Sequence, residues 1–266
     1  MKGIISMKIP FYQVNAFTGE GFKGNPAGVC LLDSWLSDEI MQYIAYENQF
    51  SETAFVVKED GMYKIRWFTP AIEVDLCGHA TLAAASVIMQ FIEKDLKQVQ
   101  FDSRSGALTV SKYGSEYALN FPADEISEAT SMGKYFSAFH VNPQLVFKGK
   151  TDYMFVFSSE SQIRDMNPDL EIVNQLDARG IIVTAPGDTV DFVSRFFGPQ
   201  SGIPEDPVTG SAHTTLTPYW SGRLKKNILH AWQLSKRGGV LKCTMLKKRV
   251  EITGAVQNYI VGFIII

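Results

Sequence analysis

The stretch EDPVTGSAHTTL, residues 205–216, gathers Asp206, Thr209, Ser211 and His213 around Gly210 at the mouth of a helix. A helix start offers unpaired backbone N–H groups and the positive end of a dipole, which together suit a carboxylate or phosphate. The same residue types also make an ordinary N-cap. A second turn of this kind, LCGHAT (76–81), carries Cys77, Gly78 and His79 into another helix. Gly78 and Gly210 would let backbone approach a ligand closely, or would simply serve helix–strand packing. A third candidate lies in LSDEIMQYIAYENQF: Ser37 caps a helix, Asp38 and Glu39 suit its first turn, and Ile40, Met41, Ile44 and Ala45 form its apolar face. Glu47 then falls at the helix C-terminus, where the dipole and partial burial would both raise a carboxyl pKa toward the range of a proton-shuttling acid/base. A surface glutamate at a frayed helix end is the plainer alternative. Asn25, in FKGNPAGVCLL, enters a strand from what could be an ordinary turn.

These residues need a frame. Strand-like runs (FYQVNAF, AGVCLL, TAFVV, YKIRWF) fill the first seventy residues, rich in β-branched and aromatic side chains. GHATLAAASVIMQFIEKDL then reads as a helix of about eighteen residues, apolar nearly all round and therefore buried. Short strands follow, with turns at Gly106 and Gly114. The second half repeats the plan: YMFVFSS, GIIVTAP and VDFVSRFFGP are strands, a short helix follows Gly210, and strands resume with a bend at Gly238-Gly239. RWFTP (66–70) and RFFGP (195–199) each end a strand and precede a small-residue turn that opens a helix. This internal echo predicts two similar halves, residues 1–117 joined by 255–266, and residues 118–254, each a sheet about a helix. Pseudo-twofold packing of such halves would bring both helix starts to one shared cleft.

The bulk numbers narrow the classes. With 266 residues, 45% hydrophobic and 20% charged, the chain is long enough for a real core. A formal charge of -3 gives no electrostatic case for nucleic acid, and the short basic clusters RLKK and KKR read as solvated turns. No apolar run approaches the roughly 20 residues of a membrane span, and the N-terminus lacks the apolar region of a signal peptide. Cys30, Cys77 and Cys243 are widely spaced and suit a reducing cytoplasm without disulfides. No pair of residues has zinc-ligand spacing, so no metal is expected.

The blocks NAFTGEGFKGNPAGVCLLD, MQYIAYENQFSETAFV, IRWFTPAIEVDLCGHATLA, DFVSRFFGPQSGIPEDPVTGSAH and LSKRGGVL occur in one order along most of the chain. In that order the sequence resembles the PhzF family of phenazine-biosynthesis-like isomerases. The resemblance implies an α+β, diaminopimelate epimerase-like fold: two pseudo-symmetric halves, each a curved, mostly antiparallel sheet or barrel around a central helix. It implies a homodimer without metal or organic cofactor, acting on a small carboxylated substrate in the cleft between halves. It also implies Glu47 as proton shuttle, His79, Asp206 and Ser211 as its catalytic companions, and the backbone around Gly78–His79 and Gly210–Ser211 as carboxylate holder. His213 is outside this set and is read as helix packing.

One departure bears on mechanism. Epimerases of this fold use two cysteines, one at each helix start. Here Cys77 fills the first place, but the internal echo puts Thr209 in the second, and a threonine hydroxyl is too weak an acid for the role. A single-carboxylate isomerase is the expectation. A non-catalytic binding or interaction module on the same fold is the alternative, and a cysteine-based racemase a weaker third.

Overall fold

The helix that begins at Gly78 has almost no polar surface to offer water, and the fold answers by surrounding it. In the computed structural model, which describes residues 7–266, all ten residues of Gly78–Val87 are buried. The hydroxyls that go in with them return to their own backbone: Thr81 Oγ1 donates to the Cys77 carbonyl at 2.6 Å and Ser86 Oγ to that of Ala83 at 2.7 Å. Buried hydroxyls satisfied in this way cost little.

The chain divides into two compact units. One comprises the described residues up to Gly21 with Pro26–Tyr117 and Ala255–Ile266, the other Phe22–Asn25 with Ala118–Gly254. The short loop Phe22–Asn25 belongs with the second unit because its backbone is held there. Gly24 N donates to the Gly238 carbonyl at 2.8 Å, and Arg237 Nε donates back to that of Gly24 at 2.8 Å.

The first unit contains β1 (Lys8–Ala16), β2 (Asn25–Leu32), α1 (Asp38–Asn48), β3 (Glu52–Glu59), β4 (Met62–Phe68), β5 (Glu73–Val74), α2 (Gly78–Val87), β6 (Gln98–Asp102), β7 (Leu108–Tyr113) and the start of β8 (Glu116–Pro122). Strand β2 runs parallel to β3, β3 antiparallel to β4, β4 antiparallel to β5 and parallel to β6, and β6 antiparallel to β7. Helix α2 packs on β1, β3 and β7. It is shorter than the expected eighteen residues: a wider π-helical turn, Ile88–Ile92, takes over, closed by Glu93 N on the Ile88 carbonyl at 2.8 Å. Phe91 and Ile92 lie beyond the buried stretch and are exposed. Helix α1 has the expected cap, Ser37 Oγ accepting from Ile40 N, and buries Met41, Ile44 and Ala45.

The second unit contains β9 (Ser127–Glu128), β10 (Leu145–Lys148), β11 (Asp152–Val156), α3 (Glu160–Arg164), α4 (Leu170–Val173), β12 (Gly180–Pro186), β13 (Phe192–Gly198), β14 (Ile203–Asp206), α5 (His213–Leu224), β15 (Ile228–Gln233), β16 (Gly239–Leu246) and the first part of β17 (Arg249–Ile265). The remainder of β17 pairs antiparallel with β1 of the first unit's own sheet. Here β11 runs parallel to β12, β12 antiparallel to β13, β13 antiparallel to β14 and parallel to β15, and β15 antiparallel to β16. The two pairing orders are the same, strand for strand. Most described pairings are antiparallel, as expected, with two parallel pairs in each unit. Helix α5 packs on β15 and β16 and buries Trp220, whose ring stacks on Phe192 at 5.7 Å and whose Nε1 donates to Thr184 Oγ1 at 3.0 Å.

The sequence echo falls on matching places. In RWFTP, Arg66 grips Glu73 of β5 with two bonds of 2.7 Å; in RFFGP, Arg195 grips Glu205 of β14 at 2.6 and 3.0 Å. Each bidentate pair pins the hairpin that leads to its unit's central helix. Among the described residues no helix is long and apolar enough to cross a membrane, and Cys30, Cys77 and Cys243 are all free thiols.

Candidate functional site

In the first unit, chemistry collects at the start of α2. Cys77 occupies the N-cap position in extended backbone and makes no side-chain cap bond. Its Sγ lies 3.5 Å from His79 Nδ1, while Glu52 Oε2 lies 3.4 Å from His79 Nε2. The Glu52 and His79 side chains are 12% and 4% exposed, and Cys77 is 6% exposed. Glu52 is there because it heads β3, the strand on which α2 packs. A polar residue at the head of a strand whose next five residues are buried was the available signal for it. Spacing along the chain does not reveal it, since its partner follows 27 residues later.

Glu47 is not part of this group. It sits in the last turn of α1 as expected, but the expected partial burial is absent: the side chain is exposed. The reason is helical geometry. Ile40, Tyr43 and Glu47 recur at i, i+3 and i+7, one stripe of α1, and all three are exposed, whereas Met41, Ile44 and Ala45 take the core face. Ile40 therefore leaves the apolar face assigned to it. The stripe borders a groove of about 670 Å³ that the chain end Ile264–Ile266 also lines.

The donor atoms of Glu52, Cys77 and His79 fall within 4.8 Å of one another. A zinc ion with ligands at about 2.0–2.3 Å could take one ring nitrogen and the neighbour on that side. The nearest contact of Cys77 is to Nδ1 and that of Glu52 is to Nε2, so the set also offers a path for proton transfer through the imidazole.

The corresponding start of α5, in the second unit, is a fixed network. Asp206 is buried, and both its carboxylate oxygens are engaged: Asn25 Nδ2 donates to Oδ1 at 2.7 Å and Thr209 Oγ1 to Oδ2 at 2.6 Å. Asn25 donates also to the Val208 carbonyl at 2.9 Å. Gln233 closes the net by accepting from Thr209 N at 2.8 Å and donating to the Asp206 carbonyl at 2.8 Å. Gly210 and Ser211 lie in the turn just before α5. Ser211 Oγ accepts from Arg179 Nη1 at 2.9 Å, and Arg179 is itself held by the buried Asp152. Neither Arg179 nor Gln233 was singled out from sequence. His213 is fully buried against Phe192, with Nδ1 2.9 Å from the Thr209 carbonyl, and burial pushes its pKa down to about 4. That is the packing role expected of it.

The two units and their matching helix starts make up an α+β scaffold with one strand order used twice. The sequence model of the phenazine biosynthesis-like protein family, PhzC-PhzF, matches residues 14–260, and the chain belongs to that family. An uncharacterized isomerase of Pseudomonas aeruginosa is 49% identical over 249 residues, covering 93% of this chain and 95% of that one. The crystal structure of a PhzF-family phenazine biosynthesis protein from Enterococcus faecalis superposes with a TM-score of 0.94 at 44% identity, covering 97% of this chain and 99% of the other. A hydroxyproline epimerase from Agrobacterium vitis, at 7% identity, shares the fold alone, with a TM-score of 0.65 over 97% of this chain and 93% of its own. The protein is thus a PhzF-like isomerase by family.

Proposed function

We propose that this isomerase moves a proton within a small carboxylated metabolite, without an organic cofactor, and that Glu52 carries the proton. The observation behind the reading is the contact between the nearly buried Glu52 carboxylate and His79 at 3.4 Å. A general base must be held within reach of its proton and must not be dissipated in bulk water. Glu52 meets both demands, and Glu47, exposed on α1, meets neither.

In this reading His79, protonated at Nε2, donates toward Glu52 and fixes the carboxylate. Glu52 removes a proton α to a carbonyl or conjugated system, becomes a carboxylic acid, and returns the proton at another carbon of the same ligand. Electrons shift along the substrate, and no oxidation accompanies the step. The backbone amides at Gly78–His79 hold the substrate carboxylate at the positive end of α2. Asp206 serves by holding Thr209 and Asn25 in place. Family membership and the isomerase name of the Pseudomonas relative support the reaction class.

The test is nuclear magnetic resonance of small amino and hydroxy acids incubated with the protein in deuterated water. Solvent deuterium should enter one of them, and Glu52→Gln should slow that entry by roughly 10²–10⁴-fold, the usual worth of a positioned proton-transfer group. Binding without deuterium entry in the wild type would favour a binding module on the same fold.

A further inference from the structure

The Cys77 thiol has no part in a mechanism that uses Glu52 and His79 alone, and a two-cysteine reaction is closed by Thr209. Yet Cys77 is not placed as packing. Cys30 and Cys243 are fully buried, and that burial pushes them far from ionisation, Cys243 up to about 12 and Cys30 further. Cys77 instead stands at the head of a ten-residue helix, 3.5 Å from Nδ1 of a ring whose Nε2 lies 3.4 Å from the Glu52 carboxylate.

We infer that Cys77, His79 and Glu52 form one proton relay, in which the thiol is a second proton-carrying group that exchanges its proton with Glu52 through the His79 ring. The inference rests on the isomerase reading above. The step balances as follows. Sγ–H gives its proton to Nδ1, Nε2–H gives its proton to the Glu52 carboxylate, and the imidazole changes tautomer. A thiol and a carboxylate become a thiolate and a carboxylic acid, with no net charge change and no redox partner. Running backward, from a Cys77 thiolate and a ring protonated at Nδ1 alone, Nδ1–H passes its proton to Sγ while Nε2 takes the proton that Glu52 removed from substrate. The enzyme would then hold two proton stations within one unit, where epimerases of this fold place one cysteine at each helix start. The 3.5 Å separation is ordinary for a hydrogen bond to sulfur, while the 3.4 Å Glu52–His79 contact is long and of the kind that shortens when ligand fills a site.

Three features favour thiolate at Cys77: the ring able to become imidazolium beside it, the Glu52 carboxylate that stabilises that cation, and the positive helix end. The thiolate's ultraviolet absorbance, followed across pH on the intact protein, reads this without any substrate. We expect one step, at least about a unit below the ordinary thiol value of roughly 8.5. Cys77→Ser and Cys77→Ala should each remove it, and Cys30 and Cys243 should stay silent. His79→Gln should move the step upward by about a unit or more, and Glu52→Gln should move it the same way by less. The same Cys77 variants should slow deuterium entry into substrate several-fold while leaving ligand affinity unchanged. A Cys77 that titrates like an ordinary thiol, or a step that His79→Gln leaves in place, overturns the relay. If those results came with an exchange reaction still dependent on Glu52, the isomerase reading would stand without the relay. If no exchange occurred in the wild type, that reading itself would fail.

Discussion

The two units pair their strands in one order and open their central helices on the same kind of turn, yet the two turns do different work. At the head of α2 the positions Cys77, Gly78 and His79 hold two side chains that can gain or lose a proton near neutral pH, with Glu52 beside them. At the head of α5 the equivalent positions are Thr209, Gly210 and Ser211, and their hydroxyls are tied into hydrogen bonds with Asp206, Gln233 and Arg179. What was duplicated is the frame, down to an arginine that clamps the preceding hairpin. What diverged is the chemistry at the helix start, a thiol and an imidazole beside a carboxylate in one unit and a hydrogen-bonded hydroxyl network in the other.

If the arginine clamps are the same device twice, removing either should cost similar stability. Arg66→Ala leaves Glu73 with Arg104 alone at 2.9 Å, Arg195→Ala strips Glu205 of its bidentate partner, and each should destabilise by roughly 1–3 kcal/mol in urea denaturation. A large cost at one and none at the other would break the correspondence between hairpins.

The second difference concerns pH. His213 of α5 is buried and neutral, its pKa depressed to about 4 against an ordinary 6.5. The unfolded chain therefore binds a proton below about 6.5 that the folded chain refuses until about 4, so stability is lost as pH falls through that window. The loss should reach on the order of 3 kcal/mol near its lower edge. Denaturation curves at pH 7 and near pH 4.5 should show a shallower decline for His213→Asn than for the wild type. Equal declines would mean that this histidine finds a proton in the fold.

Smaller still is the contrast between Thr209 and Cys77. Thr209→Ala deprives the buried Asp206 of a donor and should cost about 1–3 kcal/mol, whereas Cys77→Ala should change stability less and proton exchange more. The reverse pattern would erase the distinction between a structural and a reactive helix start.

Much of the frame was legible in the chain. The Ser37 cap, the buried alanine-rich helix and the paired RWFTP and RFFGP motifs all rest on local spacing, and local spacing survives folding. Glu47 and Glu52 show where such reading stops. Five residues apart, they differ in what lies beside them in space. The helix-end argument for Glu47 considered only its own helix, while the role of Glu52 comes from β3 running alongside α2. The apolar pattern past Val87 is likewise only partly used: Ile88 and Met89 are buried in the π-helical turn, while Phe91 and Ile92 lie exposed.

The central claim is that a proton moves through Glu52. Glu52→Gln and Glu47→Gln, compared side by side for solvent deuterium entry into the substrate that the wild type labels, test it most directly. The account predicts a fall of roughly 10²–10⁴-fold for Glu52→Gln, with ligand still bound and the fold intact, and at most a small change for Glu47→Gln. Full exchange in Glu52→Gln together with its loss in Glu47→Gln would contradict the account and return the role to the end of α1.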